Sequence, residues 1–137
     1  MGEVRVQVKL MNVADITAAA AGKLDPKQVR IVEANAMVDT GAVRSCLPQP
    51  LLDRLGIQPL GRTLVEYAHG QKEAVGVAYG IVFEILDRRT SDDALALGDE
   101  VLIGQTLLEK LDLVVDCVNR RLMPNPAHPD VPVNKLK

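Results

Sequence analysis

The chain has 137 residues, of which 47% are hydrophobic, and a formal net charge of −2 at pH 7. Its length predicts a single domain, and its near-neutral charge argues against a nucleic-acid partner, which requires a basic surface. With one Phe, two Tyr and no Trp, the core must be built from aliphatic side chains, and this favours a sheet-rich fold.

Three features bear on location and together favour the cytoplasm. The sequence holds no apolar run of the ~18 residues that cross a bilayer, so we expect no membrane partner. The N-terminus alternates apolar and polar residues in place of the apolar block of a secretory signal. Cys46 and Cys117 form no C-x-x-C motif, which favours free thiols in a reducing compartment.

The first part of the chain predicts two strands and one short helix. Alternating apolar residues predict a strand at 4–10, and a mostly apolar run predicts another at 29–38. Between them, 15–28 carries an alanine run, a Gly and an Asp-Pro pair, and we interpret it as a surface excursion that can include a short helical turn. One amphipathic helical step at 51–55 ends at Gly56, which fits a C-cap.

The middle of the chain predicts a hairpin. Two strand-like runs, 63–67 and 73–86, flank a turn containing His69 and Gly70, and Gly supplies the positive φ that such turns need. The odd-numbered residues from Val75 to Ile85 are apolar and share one face of the second strand.

The last part of the chain is predicted to form a strand, a helix and a second strand, followed by a tail. The strands lie at 101–104 and 112–118, with the helical run between them. Four prolines from Pro124 onward cannot join a central ladder. We therefore predict a single domain at 1–124 and a proline-rich C-terminal tail at 125–137.

One short sequence pattern occurs twice in the chain. Residues 49–57 and 105–113 agree in residue character at every position but two, and each copy follows an apolar strand. Leu-Leu-acid-base-Leu is a common helical phrase, which is one interpretation. The other is that the chain contains two related half-units about a pseudo-twofold axis.

A single carboxylate, Asp39, stands in the run Ala36–Val43 between two apolar flanks. Gly41 permits a tight backbone turn directly after it. An Asp in such a place often hydrogen-bonds its own turn, and local chemistry alone leaves that interpretation open beside a functional one.

Asp-Thr-Gly-Ala between apolar strands resembles the active-site turn of the retroviral-type (clan AA) aspartic proteases, the retropepsins, and looks closest to their small bacterial and archaeal members. The resemblance extends over roughly 4–124, because the parts follow in the family's order: a first strand, this turn, Leu-Pro and a short helix, a flap-like hairpin, an apolar strand ending in Gly104, a helix and a closing hairpin. It implies an all-β fold, a small closed β-barrel-like retropepsin fold with one or two short helices.

The resemblance also implies roles for particular residues. Asp39 would be the catalytic acid and base, in a turn completed by Thr40, Gly41 and Ala42. The tip of a flap that closes over the substrate would be formed by Tyr67, Ala68, His69 and Gly70. Packing behind the turn would come from Leu102, Ile103 and Gly104, and candidate pocket walls are Val43, Leu47 and Val101.

Peptide hydrolysis by carboxylates needs two of them, one ionised to take a proton from water and one protonated to donate. No other Asp in the chain is followed by Thr-Gly, and we interpret Asp53, Asp112 and Asp116 as surface or turn residues. The second carboxylate must then be Asp39 of a second copy, so the resemblance implies a homodimer.

The resulting prediction is an aspartic endopeptidase that hydrolyses a peptide or protein substrate by a water activated between the two Asp39 carboxylates, with no cofactor and no metal. The alternative is a non-catalytic retropepsin-like module for dimerisation or peptide binding. His69 and His128 lack the spacing of zinc ligands, and Cys46 has no His nearby in sequence to activate it. The flap tip is less glycine-rich than viral flaps, and 15–26 has no obvious viral counterpart.

Overall fold

The computed structural model describes residues 3–136. Its strands are β1 (Val4–Asn12), β2 (Ile31–Val38), β3 (Cys46–Leu47), β4 (Arg62–Glu66), β5 (Lys72–Ile85), β6 (Arg88–Ala96), β7 (Leu102–Ile103), β8 (Leu113–Asp116) and β9 (Arg121–Pro124). Its α-helices are α1 (Val13–Ala20), α2 (Gln49–Leu55) and α3 (Gln105–Leu111), with a 3₁₀ turn at Pro26–Gln28. No helix in the described part of the chain is long and apolar enough to span a bilayer.

Six of these strands close into a barrel in the order β1-β2-β7-β3-β6-β5, because β5 pairs back with β1 around Leu10 and Phe83. β4 extends the sheet beyond β5, and β8 and β9 form a separate hairpin. The predicted all-β closed barrel is confirmed. Residues 3–136 contain three short α-helices where one or two were expected.

The core is aliphatic, as the composition predicts. Phe83 lies fully buried among aliphatic side chains that include Leu10, Leu47 and Ile103. The predicted apolar face of β5 is wrong at Tyr79, which is 51% exposed. The register of β5 against β6 shifts between Ala78 and Ile81, and this bulge turns the Tyr79 side chain out of the barrel.

The segment between β1 and β2 departs from the predicted surface excursion. It forms α1, because the Asn12 side chain accepts the Asp15 N–H at 3.1 Å and donates to the Leu55 carbonyl at 2.8 Å. Asp15 also accepts two hydrogen bonds from the Arg30 guanidinium, at 2.8 and 2.9 Å. An N-cap Asn before an Asp and an alanine run is a helix-start signal, which the following Gly and Asp-Pro obscured.

The two copies of the repeated phrase have the same local structure. α2 and α3 are each seven residues long. Each ends at a left-handed residue, Gly56 with φ 72° and Asp112 with φ 56°. The next residue in each copy, Ile57 or Leu113, is buried. The phrase therefore encodes two similar strand–helix corners of the barrel, and the pseudo-twofold relation stays a prediction.

Residues 125–136 lack regular secondary structure but bind back to the barrel. Asn125 Nδ2 donates to Asp112 Oδ1 at 2.9 Å, and the Val133 N–H donates to Asp112 Oδ2 at 3.0 Å. Arg88, which is buried, donates to the His128 carbonyl at 2.6 Å. The domain boundary at 124 stays a prediction, and residues 1, 2 and 137 of the predicted domain and tail lie outside the described residues.

Candidate active site

The backbone of Asp39 is attached to the second half of the chain. β2 runs parallel to β7, with Val38 opposite Ile103. Directly after this pair, the Asp39 N–H donates to the Ile103 carbonyl at 2.9 Å. The carboxylate-bearing residue therefore stands at the point where a strand from each half of the barrel ends.

The turn after Asp39 is closed by its own backbone. The Gly41 N–H donates to Asp39 Oδ1 at 2.9 Å, and the Ala42 N–H donates to the Asp39 carbonyl at 3.2 Å. A Cβ on Gly41 would lie 3.2 Å from Asp39 Oδ1, so the carboxylate and the backbone approach each other closely. The local hydrogen bond expected of a turn-forming Asp is present, and it orients one carboxylate oxygen.

The loop after the turn packs on the beginning of α3. The Gln105 N–H donates to the Ala42 carbonyl at 2.8 Å, and the Thr106 N–H donates to the Val43 carbonyl at 3.1 Å. A Cβ on Gly104 would lie 2.6 Å from the Arg44 carbonyl carbon, so only glycine fits there. Ser45, in the same loop, accepts the Gly104 N–H on its hydroxyl and is 1% exposed. It was not among the predicted site residues.

Asp39 and Thr40 line an open cavity of about 510 Å³. Its walls come from the beginning of β1, the end of β2 and the β8–β9 hairpin, and they are Glu3, Val4, Met37, Val38, Val115, Cys117 and Arg120. Asp39 therefore lines a surface cavity whose wall includes the hairpin turn.

The predicted flap is a hairpin of β4 and β5. At its tip the Tyr67 N–H donates to the Gln71 carbonyl at 2.9 Å, and Gly70 has a φ of 89°. The Tyr67 ring stacks on His69 with centroids 5.6 Å apart. The hydrogen bond from Tyr67 to the Glu73 carboxylate raises the pKa of the Tyr67 phenol.

No protein-family model and no curated protein matches the chain. Among solved structures it is similar to the retroviral protease-like domain of Ddi1 from Leishmania major, with a TM-score of 0.58 and 15% identity over 98% of this chain and 96% of that one. The chain has a retropepsin-like fold. It also matches the Simian Foamy Virus (mac) protease, with a TM-score of 0.48 and 19% identity over 76% of this chain and 90% of that one.

In this retropepsin-like fold the predicted supporting residues lie behind the turn. Ile103 is fully buried, Gly104 is buried and Leu102 is half-buried. Two candidate pocket walls are wrong, because Leu47 and Val101 belong to the hydrophobic core. Val43, the third, is 70% exposed.

A smaller apolar cavity of about 200 Å³ lies among residues of β2, β3 and β7 and the loop that precedes β7. It is lined by Met37, Cys46, Leu97, Leu102 and the loop 98–100. Burial raises the pKa of the Cys46 thiol, Arg44 opposes the rise and Asp39 adds to it. Cys46 is therefore a packing residue close to Asp39, and the sequence offered no signal that Cys46 and Leu97 would line one cavity.

The other candidate carboxylates have local partners. Asp53 accepts from the Gln49 side chain at 2.9 Å, and Asp116 accepts the Val118 N–H at 3.1 Å within the β8–β9 turn. Asp112 binds the tail. No group of three His, Cys, Asp or Glu residues that could hold a metal ion occurs between residues 3 and 136.

Proposed function

We propose that the chain is an aspartic endopeptidase of the retropepsin type, whose active site joins the Asp39 carboxylates of two copies. The observation that carries the proposal is the placement of Asp39. Its backbone is held by Ile103, one carboxylate oxygen is held by Gly41, and the residue lines an open cavity. This is a carboxylate fixed at a strand end and accessible to a second molecule.

Two carboxyl groups ~3 Å apart cannot both ionise, so they share one proton. The ionised group takes a proton from a water molecule, and the protonated group donates to the peptide carbonyl oxygen as the water attacks. The resulting tetrahedral intermediate breaks its C–N bond as the amine leaves with a proton from the pair. The Gly41 N–H, which donates to Asp39 Oδ1, would orient this carboxylate in each subunit.

A second copy supplies the second carboxylate. Val118, in the turn of the β8–β9 hairpin, is 90% exposed and adjoins Cys117, which lines the Asp39 cavity. In an isologous dimer the same patch of both subunits meets at the twofold axis. A patch that contains both the exposed Val118 side chain and Asp39 would bury Val118 and bring the two carboxylates together.

The substrate we propose is an extended peptide segment. The flap hairpin, with Tyr67 and Gly70 at its tip, would close over it and exclude water. The cavity beside Cys46 has a mainly aliphatic wall of Met37, Leu97 and Leu102, and it would accept an apolar side chain of the substrate. The small bacterial and archaeal retropepsin-like proteins remain the subgroup that we propose for the chain, and the cytoplasm its location.

A non-catalytic retropepsin-like dimerisation or peptide-binding module is the second candidate. The Gly41 N–H bond to Asp39 Oδ1 fits this candidate equally well, because a purely structural Asp would make the same bond. The two candidates differ in what they do to a bound peptide.

The test is digestion of a peptide library from about pH 4 to 7, read by mass spectrometry. We expect the wild type to cleave, Asp39→Asn to lose cleavage, and the control Asp53→Asn to retain it. Cleavage that persists in Asp39→Asn would exclude the carboxylate pair. Binding of peptides without cleavage by the wild type would support the module instead.

A further inference from the structure

Asp39 and Ser45 bind opposite sides of one peptide unit. The carbonyl of Ile103 accepts the Asp39 N–H at 2.9 Å, and the next N–H along the chain, that of Gly104, donates to Ser45 Oγ at 3.0 Å. Because a peptide unit is planar, a rotation that breaks one of these hydrogen bonds also displaces the other.

The same N–H belongs to a helix start that has no cap of its own. α3 begins after Gly104, and within residues 3–136 no N-cap side chain accepts a hydrogen bond from its first turn. The first N–H groups of a helix nevertheless need acceptors. The loop after Asp39 provides them. The Gln105 and Thr106 N–H groups bond to backbone carbonyls of that loop, and Ser45 contributes the side-chain acceptor.

Water cannot readily replace the Ser45 hydroxyl, because Ser45 is 1% exposed and Gly104 is buried. The Ser45 carbonyl also accepts the Leu95 N–H at 2.9 Å. The residue therefore joins β6 through its backbone to the Ile103–Gly104 peptide unit through its side chain.

We propose that Ser45 is a positioning residue for the reaction, which holds the Ile103–Gly104 peptide unit and through it the backbone of Asp39. This inference rests on the proposed endopeptidase function. The Ser45 hydroxyl touches neither substrate nor reacting atoms, and it acts on the distance and angle between the two carboxylates of the dimer.

The experiment compares Ser45→Ala and Ser45→Thr with two controls. Ser91→Ala removes an exposed serine of β6, and Asn12→Ala removes a buried side-chain hydrogen bond away from the turn. Kinetics are measured on a peptide that the wild type cleaves, and the Asp39 carboxyl carbon is titrated by ¹³C NMR.

We expect Ser45→Ala to lower kcat by roughly 10- to 100-fold with less than about a threefold change in KM, since small displacements at a reacting centre cost rate. We also expect the ¹³C titration curve of Asp39 to differ from the wild type in Ser45→Ala. Ser45→Thr, which keeps the hydroxyl, should show the wild-type kcat and the wild-type titration curve. Asn12→Ala lowers thermal stability but leaves kcat and the titration as in the wild type, and Ser91→Ala changes nothing.

The inference is overturned if Ser45→Ala loses stability only, with kcat and the Asp39 titration unchanged. Should Ser45→Ala fail to fold, Ser45→Cys, which keeps a weak acceptor, replaces it with an intermediate effect expected. If the wild type cleaves no peptide, the proposed function fails, and the ¹³C titration alone then decides whether Ser45 positions Asp39.

Discussion

His128 Nδ1 lies 2.7 Å from Asp112 Oδ2, which connects the C-terminal tail to the left-handed residue that ends α3. The side chain of Asn125, the N–H of Val133 and His128 all bind this carboxylate and lower the pKa of Asp112 from 3.8 to about 2. The tail is thus held by an Asp whose ionised form these hydrogen bonds favour.

Asp112→Asn should therefore change the dependence of stability on pH. Because the folded-state pKa lies below the unfolded value, the ionised carboxylate stabilises the fold above about pH 4, and this contribution is lost as the pH falls from 3.8 towards 2. Urea unfolding measured across this window should show a flatter profile for Asp112→Asn. Asp130→Asn, an exposed change in the same tail, should keep the wild-type slope.

Subunit mixing should reveal the shared active site. A heterodimer of one wild-type and one Asp39→Asn subunit, purified with two affinity tags, has a single ionisable group at the axis. Without a proton to share, its kcat should fall by a factor of about 10² or more, taking general acid–base catalysis at its usual size. A heterodimer with half of the wild-type activity would show that each subunit works alone.

Val118→Asp should dissociate the dimer without unfolding the chain. The side chain is 90% exposed in the single chain, so its replacement costs the barrel little, but in the proposed interface it would place two carboxylates in an apolar contact. Sedimentation should show a monomer, and peptidase activity should disappear with it. Val131→Asp, at a 62% exposed tail position, is the matched control and should remain dimeric.

Gly104→Ala should be among the most damaging single-methyl changes at the site. The added Cβ would lie 2.6 Å from the Arg44 carbonyl carbon and 2.7 Å from its oxygen, so the strand end or the loop must move. We expect a loss of about 1–3 kcal/mol in unfolding free energy, together with a loss of activity. Gly22→Ala, with open space around a left-handed residue, should cost about 1–2 kcal/mol but retain activity, so activity distinguishes the two variants.

The sequence predicts those parts of the site in which a glycine marks a local backbone conformation. Gly41 was predicted to permit a tight turn after Asp39, and a Cβ there would lie 3.2 Å from the Asp39 carboxylate. Gly104 was predicted as the end of an apolar strand, and the structure adds that a Cβ there would lie 2.6 Å from the Arg44 backbone. The left-handed end of α2 at Gly56 follows from the same reasoning.

What the sequence did not predict depends on contacts between distant residues. Ser45 meets Gly104 across 59 positions of the chain, and Cys46 lies opposite Leu95 only because β3 pairs with β6. Tyr79 was assigned to the wrong face of β5 because a bulge shifts the alternation of side chains. The apolar pattern of the sequence does not reveal where this bulge lies. Leu47 and Val101 were misplaced because an apolar residue near a turn can face either the core or a pocket.

The aliphatic core leaves the protein with an optical property. The chain has no Trp, and its two tyrosines stand at the flap tip and at the β5 bulge, outside the main hydrophobic cluster. Ultraviolet emission from Tyr67, beside His69 and Glu73, would therefore monitor flap movement without an attached dye. Replacing Tyr79 with Phe would leave that single emitter, and a stopped-flow trace could then time the approach of a peptide.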